Sequence, residues 1–88
     1  MIPEDIRRAY HHRVLGPVLD YDAAHGSDLV NTLETFLAAS GSWQACAEVL
    51  HVHINTVRYR IQRVQDLTGL DLASLPDRLH LYLALKSR

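Results

Sequence analysis

The segment from His51 to Gln65, HVHINTVRYRIQRVQ, limits most narrowly what this chain can fold into. At about 100° per residue, Val57, Ile61, Val64 and Thr68 line one side of a helix. Asn55, Tyr59 and Gln62 point the opposite way, with Arg58 and Arg63 to either side. The pattern predicts a helix with one packed side and one outward side. Between Ile54 and Gln65 stand Arg58, Arg60 and Arg63 and no acid. Arginine pairs with guanine, Asn and Gln pair with adenine, and guanidinium groups pair with phosphates, so a short basic helix carrying them outward suits the major groove of DNA. A recognition helix over about residues 54–68 is the expectation.

Charge argues mildly against a nucleic-acid partner until it is divided along the chain. The whole carries a net charge of −1. Residues 1–50 hold seven acids against three bases, whereas residues 51–88 hold three acids against six bases. A small basic area of this kind predicts local binding with few phosphates neutralised per subunit. Eighty-eight residues, 48% hydrophobic and 22% charged, suit one soluble globular domain with one modest core. The chain has no apolar run approaching the roughly 20 residues that span a bilayer, and no secretory signal at its start, so a cytoplasmic location with no membrane partner is expected. Cys46 has no second cysteine to pair with, in keeping with a reducing compartment.

In chain order the sequence reads as helices joined by short turns, an all-α small bundle treated as one domain over residues 1–88. Pro3 opens a first helix from Glu4 to about Val14, Gly16-Pro17 is expected to break it, and Pro17 starts a short second helix to about Ala24. These N-terminal helices occupy residues 1–25. Gly26 ends them. Ser27 is the expected N-cap of the next helix, on which Leu29, Leu33, Phe36 and Leu37 recur at amphipathic spacing up to Ser40-Gly41. Ser42 caps a helix from Trp43 to Leu50 that is expected to turn Cys46, Ala47, Val49 and Leu50 inward.

Two helices separated by about three residues, here His51-Val-His53, make a helix-turn-helix unit over residues 42–68. Ala47 is the small residue that lets the two helices approach. Two departures stand out. His51 occupies the tight turn where glycine is common, so it must bear strain at φ > 0 or alter the turn. Arg60 stands where many such units carry an apolar group, and Ile61 takes over the packing, as in the Fis-like variant of the motif. His53 is the expected cap of the recognition helix, and Gly69 its end.

Leu79, Leu81, Leu83 and Leu85 alternate as in a strand, yet the segment lacks β-branched residues and is rich in Leu, Ala and Lys, which favours a C-terminal helix over residues 76–86. Ser74 with Asp77 suits its start. As a helix it has Leu79, Tyr82 and Leu83 on one side and Leu81 with Leu85 on the other. Leu81 and Leu85 are expected to contact a second subunit or a sensory domain; the alternative is that the first helix covers them within one chain.

Metal and catalytic readings find little support. One cysteine with scattered histidines lacks the paired spacing of a structural zinc site. No nucleophile elbow, phosphate-cradling glycine loop or paired carboxylates with a neighbouring base is present, so neither cofactor nor enzymatic activity is expected.

The stretches Leu15–Asp22 (LGPVLDYD), Leu33–Leu37 (LETFL), His51–Ile61 and Leu67–Leu72 (LTGLDL) closely resemble the C-terminal helix-turn-helix domain of PucR and CdaR-type bacterial transcriptional regulators, including the sugar-diacid regulators. The likeness runs from about Leu15 to Leu85, with His53, Asn55, Thr56 and Arg60 as the shared core. It implies a DNA-binding output domain normally attached to an N-terminal sensory region that this chain lacks. On this basis Ile54, Asn55, Arg58, Tyr59 and Gln62 are candidates for base edges, and Ser42, Thr56, Arg60 and Arg63 for phosphates. Double-stranded DNA and a second copy of the chain are the expected partners. The competing class is a helical interaction or dimerisation module that does not bind DNA.

Overall fold

The computed structural model describes residues 3–87, which form five helices and no strand. Met1, Ile2 and Arg88, the ends of the expected 1–88 domain, lie outside the described residues. The helices are α1 (Glu4–His25), α2 (Leu29–Ala38), α3 (Trp43–Leu50), α4 (Ile54–Thr68) and α5 (Leu75–Lys86). The all-α bundle expected from periodicity is the architecture found.

The expected break at Gly16-Pro17 does not occur, because α1 runs through Pro17 without interruption. Proline removes a single N–H, the one that would reach the Arg13 carbonyl, and its ring fixes φ at a value that a helix accepts. His11, Leu15 and Val18 form one buried stripe across the proline. Burying those side chains stabilises by about 1.5–3 kcal/mol for each large aliphatic group, which offsets the lost bond. Gly26 then ends the helix at φ 62, its N–H bonded to Asp22 O at 2.7 Å.

Ser27 is not the cap of α2. Asp28 holds the cap position at φ 53, with no capping bond from its own side chain. The Asp22 carboxylate, reaching from α1, accepts from the N–H groups of Leu29 (2.7 Å) and Val30 (3.0 Å) and from the Ser27 hydroxyl (2.9 Å). A carboxylate at this end also meets the positive pole of the α2 dipole. Leu29, Thr32, Leu33 and Phe36 are buried, and α2 touches all four other helices, so the core is built around it.

Local chemistry sets the next three helices. Ser42 caps α3 by accepting from Ala45 N at 3.2 Å. Cys46 and Ala47 turn inward as expected, but Val49 is 64% exposed. It lies about 200° around the helix from Ala47, on the side that no neighbour covers. His51 closes α3 at φ 57, the strained conformation foreseen for a non-glycine turn. His53 Nδ1 accepts from Asn55 N at 3.0 Å and so caps α4, which ends at Gly69 with φ 73.

Ser74 accepts from Asp77 N to start α5, and the segment is helical. Its inner and outer sides are the reverse of those expected. Leu81 is fully buried and Leu85 is 6% exposed, both within the same chain, so neither is a surface for a partner. The reason is α1, which lies along this side of α5: His11 Nδ1 sits 2.7 Å from Ala84 O, and Tyr10 Oη 3.0 Å from His80 Nδ1. Leu75, Leu79, Tyr82 and Leu83 form the outward side.

Candidate nucleic-acid interface

The orientation of α4 follows from what lies beneath it. Val57, Ile61 and Val64 are buried in the same core as Cys46 and Ala47 of α3 and Leu33 and Phe36 of α2. The anchored side therefore faces α2 and α3. Asn55, Arg58, Tyr59 and Gln62 are exposed on the other side, and Ile54 and Thr56 are half-buried at its edge.

The three arginines of α4 have different surroundings. Arg60 turns toward the start of α2, where its Nη1 donates to Thr32 Oγ1 at 3.2 Å and lies 3.6 Å from the Asp28 carboxylate. Its side chain is only 23% exposed. Arg63 donates to Tyr59 Oη at 3.2 Å, lies 3.9 Å from the Asp66 carboxylate, and sits over the rings of both Tyr21 and Tyr59 at about 5.5 Å. Its Nε is buried without a partner. Arg58 is exposed and has neither a hydrogen bond nor an acid partner among the described residues.

The remaining polar groups are partly engaged. Gln62 donates to Asp66 at 3.0 Å and accepts from Gln65 at 3.3 Å, a ladder along the surface of α4. Tyr59 is exposed at 59%, and the hydrogen bond and charge of Arg63 hold its phenol below the usual tyrosine range. Ser42 Oγ accepts from its own helix and keeps its proton to donate elsewhere. Burial pushes the Cys46 thiol up, against a weaker opposing pull from Arg60, so the group stays a neutral thiol and donates to Thr32 O at 3.8 Å.

Residues 29–87 match the family model of the PucR C-terminal helix-turn-helix domain. The chain belongs to that family. Among relatives of this PucR-type domain, the DNA-binding transcriptional activator AdeR of Bacillus subtilis is 30% identical over the whole chain, which spans 21% of that protein. The proline-responsive transcriptional activator PutR of the same organism is 33% identical over 86% of the chain, which spans 18% of it. The carbohydrate diacid regulator of Escherichia coli is 50% identical over 48% of the chain and 11% of its own length. The chain therefore spans about a fifth or less of these regulators. No solved structure matches it significantly.

In this PucR-type domain the basic helix α4 was legible in the sequence, but the groups that hold its arginines were not. Tyr21, Asp28 and Thr32 come from α1 and α2, 28 to 42 positions before their partners, and no local spacing points to them. Among the described residues no cluster of three or more His, Cys, Asp or Glu side chains could hold a metal, and no helix is long and apolar enough to cross a membrane.

Proposed function

We propose that this domain is the DNA-binding output unit of a bacterial transcriptional regulator and that α4 lies in the major groove. The observation that carries the reading is the outward row of Asn55, Arg58, Tyr59 and Gln62 on a helix whose other side is fixed by the core. Arg58, with no acid partner among the described residues, reads a guanine edge; Asn55 and Gln62 face adenines, and Ile54 meets a thymine methyl. Tyr59 completes the base contacts, its ring held in place by Arg63.

Phosphate contacts come from Ser42, the first-turn N–H groups of α3, and Thr56 at the edge of α4. Arg60 and Arg63, expected at phosphates from sequence, take a different role. Each already has a carboxylate and a hydroxyl within the chain, so Arg60 positions α4 against α2 and Arg63 orients Tyr59.

The reading extends to a homodimer acting without enzymatic activity in the cytoplasm, under an N-terminal sensory region of the kind that the length of the relatives leaves room for. The outward row of Leu75, Leu79, Tyr82 and Leu83 on α5, not Leu81 and Leu85, supplies the apolar surface for a second copy. Two recognition helices about 34 Å apart then meet one side of the duplex. Sedimentation that shows a monomer at high concentration contradicts this part.

The test is a titration of the domain against duplexes selected from a random pool and against unselected duplexes, between 50 and 200 mM salt. Affinity that falls with salt and is higher for the selected duplex supports the reading. Salt-insensitive self-association with no duplex binding would instead make the domain an interaction module.

A further inference from the structure

Pairing of Arg60 and Arg63 within the chain leaves the helix-turn-helix short of free charge for the phosphate backbone, and a hollow beside α4 contains what is missing. The hollow, of about 300 Å³, lies where the start of α3, the outward side of α4 and the first turn of α5 meet. Gly41, Trp43, Arg58, Gln62 and Arg78 are among its walls. Arg58 and Arg78 are the two cations there, and among the described residues neither has a carboxylate within ion-pair distance.

Arg78 is held in place by the turn around it. Its Nε donates to the Leu72 carbonyl, which fixes the plane of the guanidinium and leaves the two Nη groups without a protein acceptor among the described residues. Nη2 lies against Gly41: a Cβ there would come within 2.6 Å of it, and the φ of Gly41 is +81. A residue with a side chain would displace the guanidinium from the start of α3. The close approach therefore places a fixed, half-buried cation beside the turn that leads into Ser42.

We propose that Arg78, from a helix outside the helix-turn-helix unit, binds a backbone phosphate of DNA at this hollow, while Arg58 on the opposite wall stays with its base edge. A guanidinium that is fixed through Nε and has both Nη groups free at the wall of a concavity recognises an oxyanion with two hydrogen bonds. The hollow adjoins both the base-reading row and Ser42, so the anion that reaches it is a phosphate flanking the groove that α4 occupies. The assignment rests on the DNA-binding reading and adds a contact to it.

The test uses the full chain, Arg78→Gln and Arg78→Lys, and a fluorescent duplex of random sequence. Loss of one phosphate contact flattens the slope of log affinity against log salt by about 0.9, so affinity lost between 50 and 200 mM salt is about threefold smaller for Arg78→Gln than for the native chain. Arg78→Lys keeps the charge and keeps the slope. A folded Arg78→Gln with the native slope overturns the proposal, as does an equal loss of slope in both variants, which would assign the effect to the 69–74 turn. Should Arg78→Gln fail to fold, the guanidinium NMR signals of Arg78 in the native chain decide: they move on addition of duplex if the proposal holds and stay in place if it does not. A native chain that binds no duplex at all overturns the DNA-binding reading itself, a distinguishable result.

Discussion

Single residues divide here between those whose task is local and those whose partners are distant. His53 belongs to the first kind, since its ring caps the helix that begins one residue later. His53→Ala is expected to cost about 1 kcal/mol of stability in denaturant unfolding, and His53→Asn much less. Arg60 belongs to the second kind. Arg60→Ala should lower stability by about 1 kcal/mol, given one hydrogen bond and an ion pair to a half-exposed carboxylate that solvent screens. The salt slope of DNA binding should stay as in the native chain; a slope reduced by about one would return Arg60 to the phosphates. Cys46 is fully buried, and its thiol is pushed up by that burial, so thiol reagents should label the domain only as fast as it unfolds. The caps Ser42 and His53 were legible because cap and helix adjoin in sequence. The Asp22 carboxylate was not, because the turn at Asp28 that aims the first N–H groups of α2 back at α1 leaves no mark at fixed spacing.

Elements were legible where one periodicity dominates and obscure where tertiary packing chooses between two. The amphipathic pattern of α2 and α4 needed no knowledge of neighbours. Pro17 and the leucines of α5 did. A proline argues for a break by local rules, yet the stripe of His11, Leu15 and Val18 keeps α1 continuous. On α5 the two leucine pairs were correctly separated, but only the position of α1 decides that Leu81 and Leu85 are inside. Leu81→Ala should therefore cost about 2–5 kcal/mol of folding stability, whereas Leu79→Ala should cost little. Equal and small costs for both would mean that α1 does not cover α5. Gly69→Ala should also destabilise, by about 1 kcal/mol, because a side chain at φ 73 meets the backbone where glycine does not.

At the scale of the molecule, a chain with net charge −1 presents its free cations selectively. Two of the three arginines in α4 are engaged in fixing that helix and Tyr59, and Arg58 is the one of the three with neither a hydrogen bond nor an acid partner among the described residues. The fold class, the family resemblance and the basic helix α4 were all legible in the sequence, since they depend on helical period, caps and a compact motif. The division of labour among the arginines was not, since it depends on α1 and α2 folding back onto α4. The most direct measurement compares Arg58→Ala with the native domain on a selected duplex and on a random one. Arg58 as a base reader predicts a loss of about 1–3 kcal/mol more on the selected duplex than on the random one. An equal loss on both would show that Arg58 only neutralises charge, and would contradict a reading face centred on it.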